Sequence, residues 1–195
     1  MRRVLAWGAT ILIALAVGAG SAFWALQTGG NAFTQRMGQW SWSRTTGSID
    51  AGPYTRAIVA RAALLALSAD EALYLNLDRD ENNKPLREDC VYELSGGQIP
   101  ARWWSVTLYA PDNYLAQNND GAYSIDSTHV EGDANGQWTA RISSVRGEAA
   151  HWISSRAARR GFSLTLRAYN ADDGFPADAS VLPTLRTISC PDAPP

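Results

Sequence analysis

Residues 162–168 read FSLTLRA, an alternation of apolar and polar side chains that is typical of a half-buried β-strand. Leu164 and Leu166 fall on one face of such a strand, while Thr165 and Arg167 fall on the other. The stretch therefore predicts a sheet that has one face in a core and one polar face.

The same period of two recurs along the chain, with turn-forming residues between the runs. The further runs are 73–77, 90–94, 104–108 and 138–142, and the turn signals lie at 82–85, 96–97, 118–121, 135–136 and 172–174. About seven short strands with one-sided burial predict a mainly β fold, an antiparallel β-sandwich or a jelly-roll-like domain.

One helix is predicted over residues 53–68, because Pro53 occupies a natural first helical position and strong helix formers follow it. Its small and apolar positions fall on one stripe, which we expect to lie against a sheet. These positions are Ala57, Ala60, Leu64 and Leu67.

The N-terminal segment has the composition of a membrane anchor. Arg2 and Arg3 precede an apolar stretch at 4–26, long enough to cross a hydrocarbon core of about 30 Å. The positive charges predict a cytoplasmic N-terminus, a single-pass inner-membrane protein and a periplasmic main domain. A cleavable signal peptide is the alternative, since residues 20–22 offer small side chains for cleavage.

A length of 195 residues fits one domain with an appended segment. We expect a transmembrane anchor or signal peptide at 1–28, a linker and lead-in segment at 29–52, the sandwich with its packed helix at 53–190 and a tail at 191–195.

Charge and cysteine content narrow the function classes. Seventeen Lys and Arg against nineteen Asp and Glu give a formal charge of −2, which argues against nucleic acid as a partner. An apolar content of 46% with 18% charged residues argues against disorder.

In an exported domain, Cys90 and Cys190 are predicted to form one structural disulfide.

A weak calcium signal lies in one acidic stretch. Asp78, Asp80, Asn82 and Asp89 have the spacing at which oxygen ligands recur in a calcium loop. The sixth position is Asn83 where such a loop needs glycine, and a hairpin turn explains the same composition.

Signatures of catalysis are missing from the sequence. His129 and His151 occur in no recognised metal-ligand or catalytic spacing. Ser154 lies near His151, but neighbours in sequence do not make a triad. We therefore predict no catalytic residue, no resident metal and no cofactor.

The strand beginning near Pro100 carries the most distinctive aromatic pair. Trp104 lies on the same face of the strand as the apolar residues Val106 and Leu108, so Trp103 points to the other face. There it either binds a ligand or packs under the helix. Arg102 is expected to pair with Glu93 on a neighbouring strand, or alternatively to recognise an anion in a pocket.

The order of motifs over residues 54–190 resembles the bacterial domain-of-unknown-function family 1214. The matching stretches are YTRA at 54–57, YELSG at 92–96, IPARWWSVTLY at 99–109, LRAY at 166–169 and LPTL at 182–185. The resemblance implies a jelly-roll-like sandwich, no established chemistry and an envelope partner from a companion family, 1254. At His151-Trp152 the family pattern leads us to expect Asn-Trp.

Together these observations predict a membrane-anchored, exported protein that acts as a non-enzymatic envelope binding or structural component. The alternatives are an enzyme acting on an envelope glycan or lipid, and a small-ligand binding protein. The candidate ligand-binding residues are Arg102, Trp103, His151 and Trp152.

Overall fold

The computed structural model describes residues 2–28, 34–61 and 66–191. An N-terminal helix, α1, runs over Arg2–Thr28, and a second, α2, over Pro53–Arg61. The segment Arg2–Ala25 of α1 is long and apolar enough to cross a membrane, a property that signal sequences share. The rest of the described chain is mainly β.

The first sheet has seven strands, six of them in the order β1-β2-β3-β10-β6-β7, with β4 paired to one end of β10. All of its pairings are antiparallel. Its strands are β1 (Gln35–Met37), β2 (Trp40–Trp42), β3 (Ala72–Leu77), β4 (Leu86–Arg87), β6 (Ala101–Tyr109), β7 (Ser124–Asp126) and β10 (Arg160–Ala171).

The second sheet has four strands in the order β11-β5-β8-β9. They are β5 (Val91–Gly96), β8 (Trp138–Ser143), β9 (Trp152–Ser154) and β11 (Thr184–Ser189). The pair β8–β9 is parallel, although a non-helical connection over residues 144–151 is all that joins them. Parallel neighbours usually need a longer crossover, so this link is unusually tight.

The core lies between the two sheets. The alternation at 162–168 behaves as predicted, since Leu164 and Leu166 are fully buried and form part of the shared core. Trp104 of the first sheet stacks on Trp138 of the second, with ring centroids 5.1 Å apart. The predicted fold class, a β-sandwich, is confirmed.

The N-terminal hairpin belongs to the sandwich. Strands β1 and β2 lie inside the segment expected to be a linker and lead-in, and they form one edge of the first sheet. Trp40 and Trp42 are buried in the core, at 1% and 5% exposure.

The predicted helix begins at Pro53, and its described part ends at Arg61. Residues 66–68 are not helical, and Leu64 lies outside the described residues. Ala57 and Ala60 are exposed, so the expectation that this stripe covers a sheet is wrong for them. Leu67 is 42% exposed and lies in a non-helical segment, so the helical period does not place it on one stripe with the two alanines.

Candidate functional site

The two sheets are joined along one side by their edge strands β7 and β9. The Ser154 amide donates a hydrogen bond to the backbone oxygen of Ala122 at 2.7 Å. The Asp120 carboxylate, only 8% exposed, accepts hydrogen bonds from the Ser154 hydroxyl and from the Nε of Arg156, with which it also forms an ion pair. We call this line of contacts the seam.

A polar cleft of about 450 Å³ lies beside the seam. This volume is within the usual range of small-molecule sites, about 300–1,000 Å³. Three separate parts of the chain supply its walls, namely residues 120–130, 146 and 150–152. Its polar and aromatic side chains are those of Asp120, Ser124, Asp126, His129, Arg146, His151 and Trp152.

An Asp–His pair stands at the rim of this seam cleft. His129 Nδ1 lies 2.9 Å from Asp126 Oδ2, and the imidazole is 81% exposed. Burial raises the pKa of Asp126, but hydrogen bonds from the His129 ring and from the amides of Thr128 and His129 outweigh it and hold that pKa below its usual value. The pair therefore presents a fixed carboxylate beside an accessible imidazole.

His151 and Trp152 also line the cleft, and both are half-buried. The Nε2 of His151 lies 3.2 Å from the Glu131 amide, which donates to it. The Nε1 of Trp152 donates to the backbone oxygen of Ser143 at 3.0 Å. These two bonds fix the orientation of both rings in the cleft wall.

Two of the four predicted ligand-binding residues are thus brought together, and the other two are not. Neither Arg102 nor Trp103 lines the cleft. Trp103 is half-buried on the outer face of the first sheet, where its Nε1 donates to Thr128 Oγ1 at 3.0 Å and its ring packs against Tyr169. Arg102 is exposed near the start of β6. Because alternate residues of a strand share a face, it lies on the face of Trp104 and not on that of Trp103.

The predicted pairing of Arg102 with Glu93 is wrong. Glu93 lies on β5 in the second sheet, where its carboxylate accepts a hydrogen bond from Arg186 at 3.2 Å. Strands β5 and β6 follow each other in the chain, but the connection between them crosses from one sheet to the other. Cross-strand pairing needs neighbours in one sheet, and these residues are not neighbours.

The acidic stretch considered for calcium forms a turn. Asp80 Oδ1 accepts hydrogen bonds from the amides of Asn82 at 2.9 Å and Lys84 at 2.8 Å. Asp89 pairs with Arg87, whose hydrogen bond holds the pKa of Asp89 below its usual value. Within the described residues, Asp78, Asp80 and Asp89 are not part of any group of three or more ligating side chains that would suit a metal ion.

A disulfide joins Cys90 to Cys190 across 100 residues of sequence, with Cα atoms 4.3 Å apart. Cys90 directly precedes β5, and Cys190 directly follows β11. Because β5 and β11 are antiparallel neighbours, the start of one lies beside the end of the other, and the two cysteines meet there.

Sequence reasoning missed the convergence of Asp126, His129 and Arg146 on the cleft. The spacing of three between Asp126 and His129 was visible, and it suits a turn in which the carboxylate meets the ring. The approach of His151 and Trp152 depends on the β8–β9 pairing and on the seam. No local pattern indicates those contacts.

The fold and the cleft define a class of protein, a β-sandwich domain that follows an N-terminal apolar helix and has a polar cleft where its two sheets meet. Residues 71–173 match the family described as "Protein of unknown function (DUF1214)". This match covers more than half of the chain, and the chain belongs to that family. The matched residues run through β10 and include every residue that lines the cleft.

Two solved structures match part of this chain. The VPA0106 protein from Vibrio parahaemolyticus is 23% identical, with a TM-score of 0.57, over 72% of this chain and 36% of that chain. An uncharacterised protein from Burkholderia cenocepacia is 17% identical, with a TM-score of 0.48, over 60% of this chain and 30% of that one. The chain therefore spans about a third of the length of these two proteins. No protein of curated function matches the chain.

Proposed function

We propose that this protein is a membrane-tethered, non-catalytic binding module of the cell envelope, and that its seam cleft binds a small saccharide. The observation that carries the proposal is the convergence of Trp152, His151, His129 and Asp126 on one cleft of about 450 Å³. An indole face packs against the C–H face of a sugar ring, while carboxylate and imidazole groups bond its hydroxyls. The cleft supplies both kinds of contact.

The proposed location is the inner membrane, with α1 uncleaved, its N-terminus in the cytoplasm and the sandwich in the periplasm. Arg2 and Arg3 before the apolar segment support this orientation. The disulfide between Cys90 and Cys190 supports an oxidising compartment for the domain. A C-terminally tagged chain is expected at full length in the membrane fraction. Added protease is expected to degrade its periplasmic domain only after the outer membrane has been opened. A soluble exported form that lacks α1 would contradict the tether.

Saccharide binding can be tested by calorimetric titration of the full chain in detergent. The probes are two neutral disaccharides, one N-acetylated and one plain. Trp152→Ala is expected to abolish binding of whichever disaccharide the wild type takes. Tyr54→Ala removes an exposed aromatic ring of α2 outside the cleft and serves as the matched control. Equal binding by wild type and Trp152→Ala, or binding of neither sugar, would contradict the proposal.

A second candidate is an enzyme that acts on a glycan or lipid in the same cleft. The observation favouring it is the Asp126–His129 pair, since an imidazole oriented by a carboxylate is the usual form of a general base. Incubation with the same disaccharides, or with a phospholipid, would then release product, and His129→Gln would stop the release. Binding without product release favours the module.

We also propose a protein of family 1254 as an envelope partner. What supports it is the resemblance to family 1214, with which that companion family is frequently encoded. Co-purification of the tagged full-length chain with the family 1254 protein of the same genome tests the proposal. Failure of the two purified proteins to form a complex would contradict it.

A further inference from the structure

Arg167 stands on the outer face of the first sheet, between two tyrosine rings. Its guanidinium carbon lies 5.2 Å from the ring centroid of Tyr109 and 5.9 Å from that of Tyr74. The group donates hydrogen bonds to Thr107 Oγ1 at 3.2 Å and to the Tyr109 hydroxyl at 2.6 Å. Neutral groups therefore hold the guanidinium in one position.

The charge of Arg167 has no counter-charge nearby. In the described part of the chain, no carboxylate lies within ion-pair distance of it, and outside that part the only acidic side chain is Asp192. Its cross-strand neighbours in β3 and β6 are Tyr74 and Ser105. Arg167 is half-buried, and its described hydrogen-bond acceptors are two neutral hydroxyl groups, so an anion from outside the protein would supply its counter-charge.

The geometry of the guanidinium favours a planar anion. Of its five N–H donors, the described contacts engage two, one at each terminal nitrogen. Three N–H donors therefore remain for a ligand, and a guanidinium binds a carboxylate best through two parallel hydrogen bonds. The rings of Tyr74 and Tyr109 lie 5.9 Å and 5.2 Å from the guanidinium carbon, so aromatic surface borders the charged group.

This arginine lies next to the seam cleft. Thr107, which accepts its hydrogen bond, pairs across the sheet with Ser124, and Ser124 lines the cleft. Ser105 of β6 pairs with Arg167 of β10 on one side and with the cleft residue Asp126 of β7 on the other. Neighbouring strands are about 4.8 Å apart, so one strand separates the arginine from the cleft wall.

We infer that the ligand of the cleft is an acidic saccharide, one sugar ring of which lies against Trp152 while a carboxylate of the same molecule binds Arg167. This inference rests on the proposed function and adds the chemical class of the ligand. Arg146 at the cleft rim is the competing cation. It is exposed on the 144–151 connection, and no described contact holds its guanidinium in place.

The test compares trigalacturonate with its methyl ester, which lacks the negative charges and carries one methyl group on each carboxyl group. Titrated into the full chain in detergent, the acid is expected to bind at least about tenfold more tightly than the ester, as a bidentate charged contact would give. Arg167→Met should abolish that difference and leave binding of the ester unchanged. Arg146→Met, which removes the competing cation, should preserve it, and so should Arg102→Met, the matched control at an exposed arginine outside the cleft.

Two conservative variants keep the test valid if Arg167→Met proves unstable. Arg167→Lys retains the charge without the fork, and Tyr109→Phe removes the hydroxyl that orients one terminal nitrogen. Each is expected to weaken binding of the acid several-fold, with binding of the ester and the melting temperature close to wild type.

Three results would overturn the inference. The first is equal binding of acid and ester, which would agree with saccharide binding but contradict a preference for an acidic saccharide. The second is a loss of the acid preference in Arg146→Met instead of Arg167→Met. The third is tighter binding of a phosphorylated trisaccharide than of trigalacturonate, which would mean that Arg167 binds a phosphate group and not a carboxylate. Binding of neither trigalacturonate nor ester, together with failure of the neutral disaccharides, contradicts the proposed function itself.

Discussion

The indole Nε1 of Trp40 donates a hydrogen bond to the backbone oxygen of Pro183 at 2.6 Å. Trp40 lies on β2 in the first sheet, whereas Pro183 immediately precedes β11 in the second. The bond therefore joins the sheets on the side of the sandwich away from the seam. Trp42, two residues later, is buried as well, but its Nε1 has no hydrogen-bond partner among the described residues.

These two tryptophans form a matched pair for mutagenesis. Replacement of either by Phe removes similar core volume, but only Trp40→Phe leaves the buried Pro183 oxygen without its donor. We expect Trp40→Phe to lower the free energy of unfolding by about 1–3 kcal/mol more than Trp42→Phe does. Urea denaturation followed by circular dichroism measures the difference. Equal losses would show that the hydrogen bond contributes nothing beyond packing.

The outer edge of β11 is covered by two polar side chains. Gln39 brackets Leu185, accepting from its amide at 2.8 Å and donating to its oxygen at 3.0 Å. Glu81 accepts from the Thr187 amide at 3.1 Å. Unpaired amides on an edge strand are templates for pairing with another chain, and these contacts block two of them.

We expect the double variant Gln39→Ala, Glu81→Ala to self-associate through β11. Both backbone amides would be released while the core is untouched. Light scattering of the detergent-solubilised full chain should show a larger mass or faster aggregation than wild type. Glu131→Ala, which removes an exposed glutamate from a different loop, is the control and should behave as wild type. An unchanged mass for the double variant would mean that other contacts protect the edge.

Loss of the Cys90–Cys190 disulfide is expected to destabilise the domain strongly. The bridge closes a loop with a sequence separation of 100 residues, for which loop entropy alone corresponds to about 4–5 kcal/mol. A Cys90→Ala, Cys190→Ala variant should melt well below wild type, and reductant should lower the melting temperature of wild type only. Mass mapping of non-reduced peptides checks the bridge itself, and two free thiols would contradict it.

The strands could be predicted from the sequence because their cause is local. Residues such as Leu164 and Leu166 alternate with polar neighbours, and a period of two is visible without knowing the partner strand. The short strands β1 and β2 were expected only as a lead-in segment, because three residues are too few to display a period.

Sheet membership could not be predicted in the same way. Glu93 and Arg102 lie on strands that follow each other in the chain, and consecutive strands are paired more often than not. Here the chain passes from one sheet to the other between them, a choice made by core packing across the whole domain. Trp152 reaches the cleft for a similar reason, because its position depends on the parallel pairing of β9 with β8.

The Asp126–His129 pair makes a testable contribution to the pH dependence of stability. Hydrogen bonds from the His129 ring and two backbone amides hold the pKa of Asp126 below its usual value, despite the opposing effect of burial. A depressed pKa in the folded state stabilises the protein above the unfolded-state value, about 3.9. That stabilisation is lost as the pH falls through the folded-state pKa.

Thermal melts of wild type and Asp126→Asn between neutral pH and pH 2.5 test this prediction. The difference in melting temperature should disappear as acid protonates the wild-type carboxylate. His129→Gln removes one of the bonds that lower the Asp126 pKa, so its stability should begin to fall at a higher pH than that of wild type. A difference between wild type and Asp126→Asn that persists at the lowest pH would mean that Asp126 acts through packing and not through its charge.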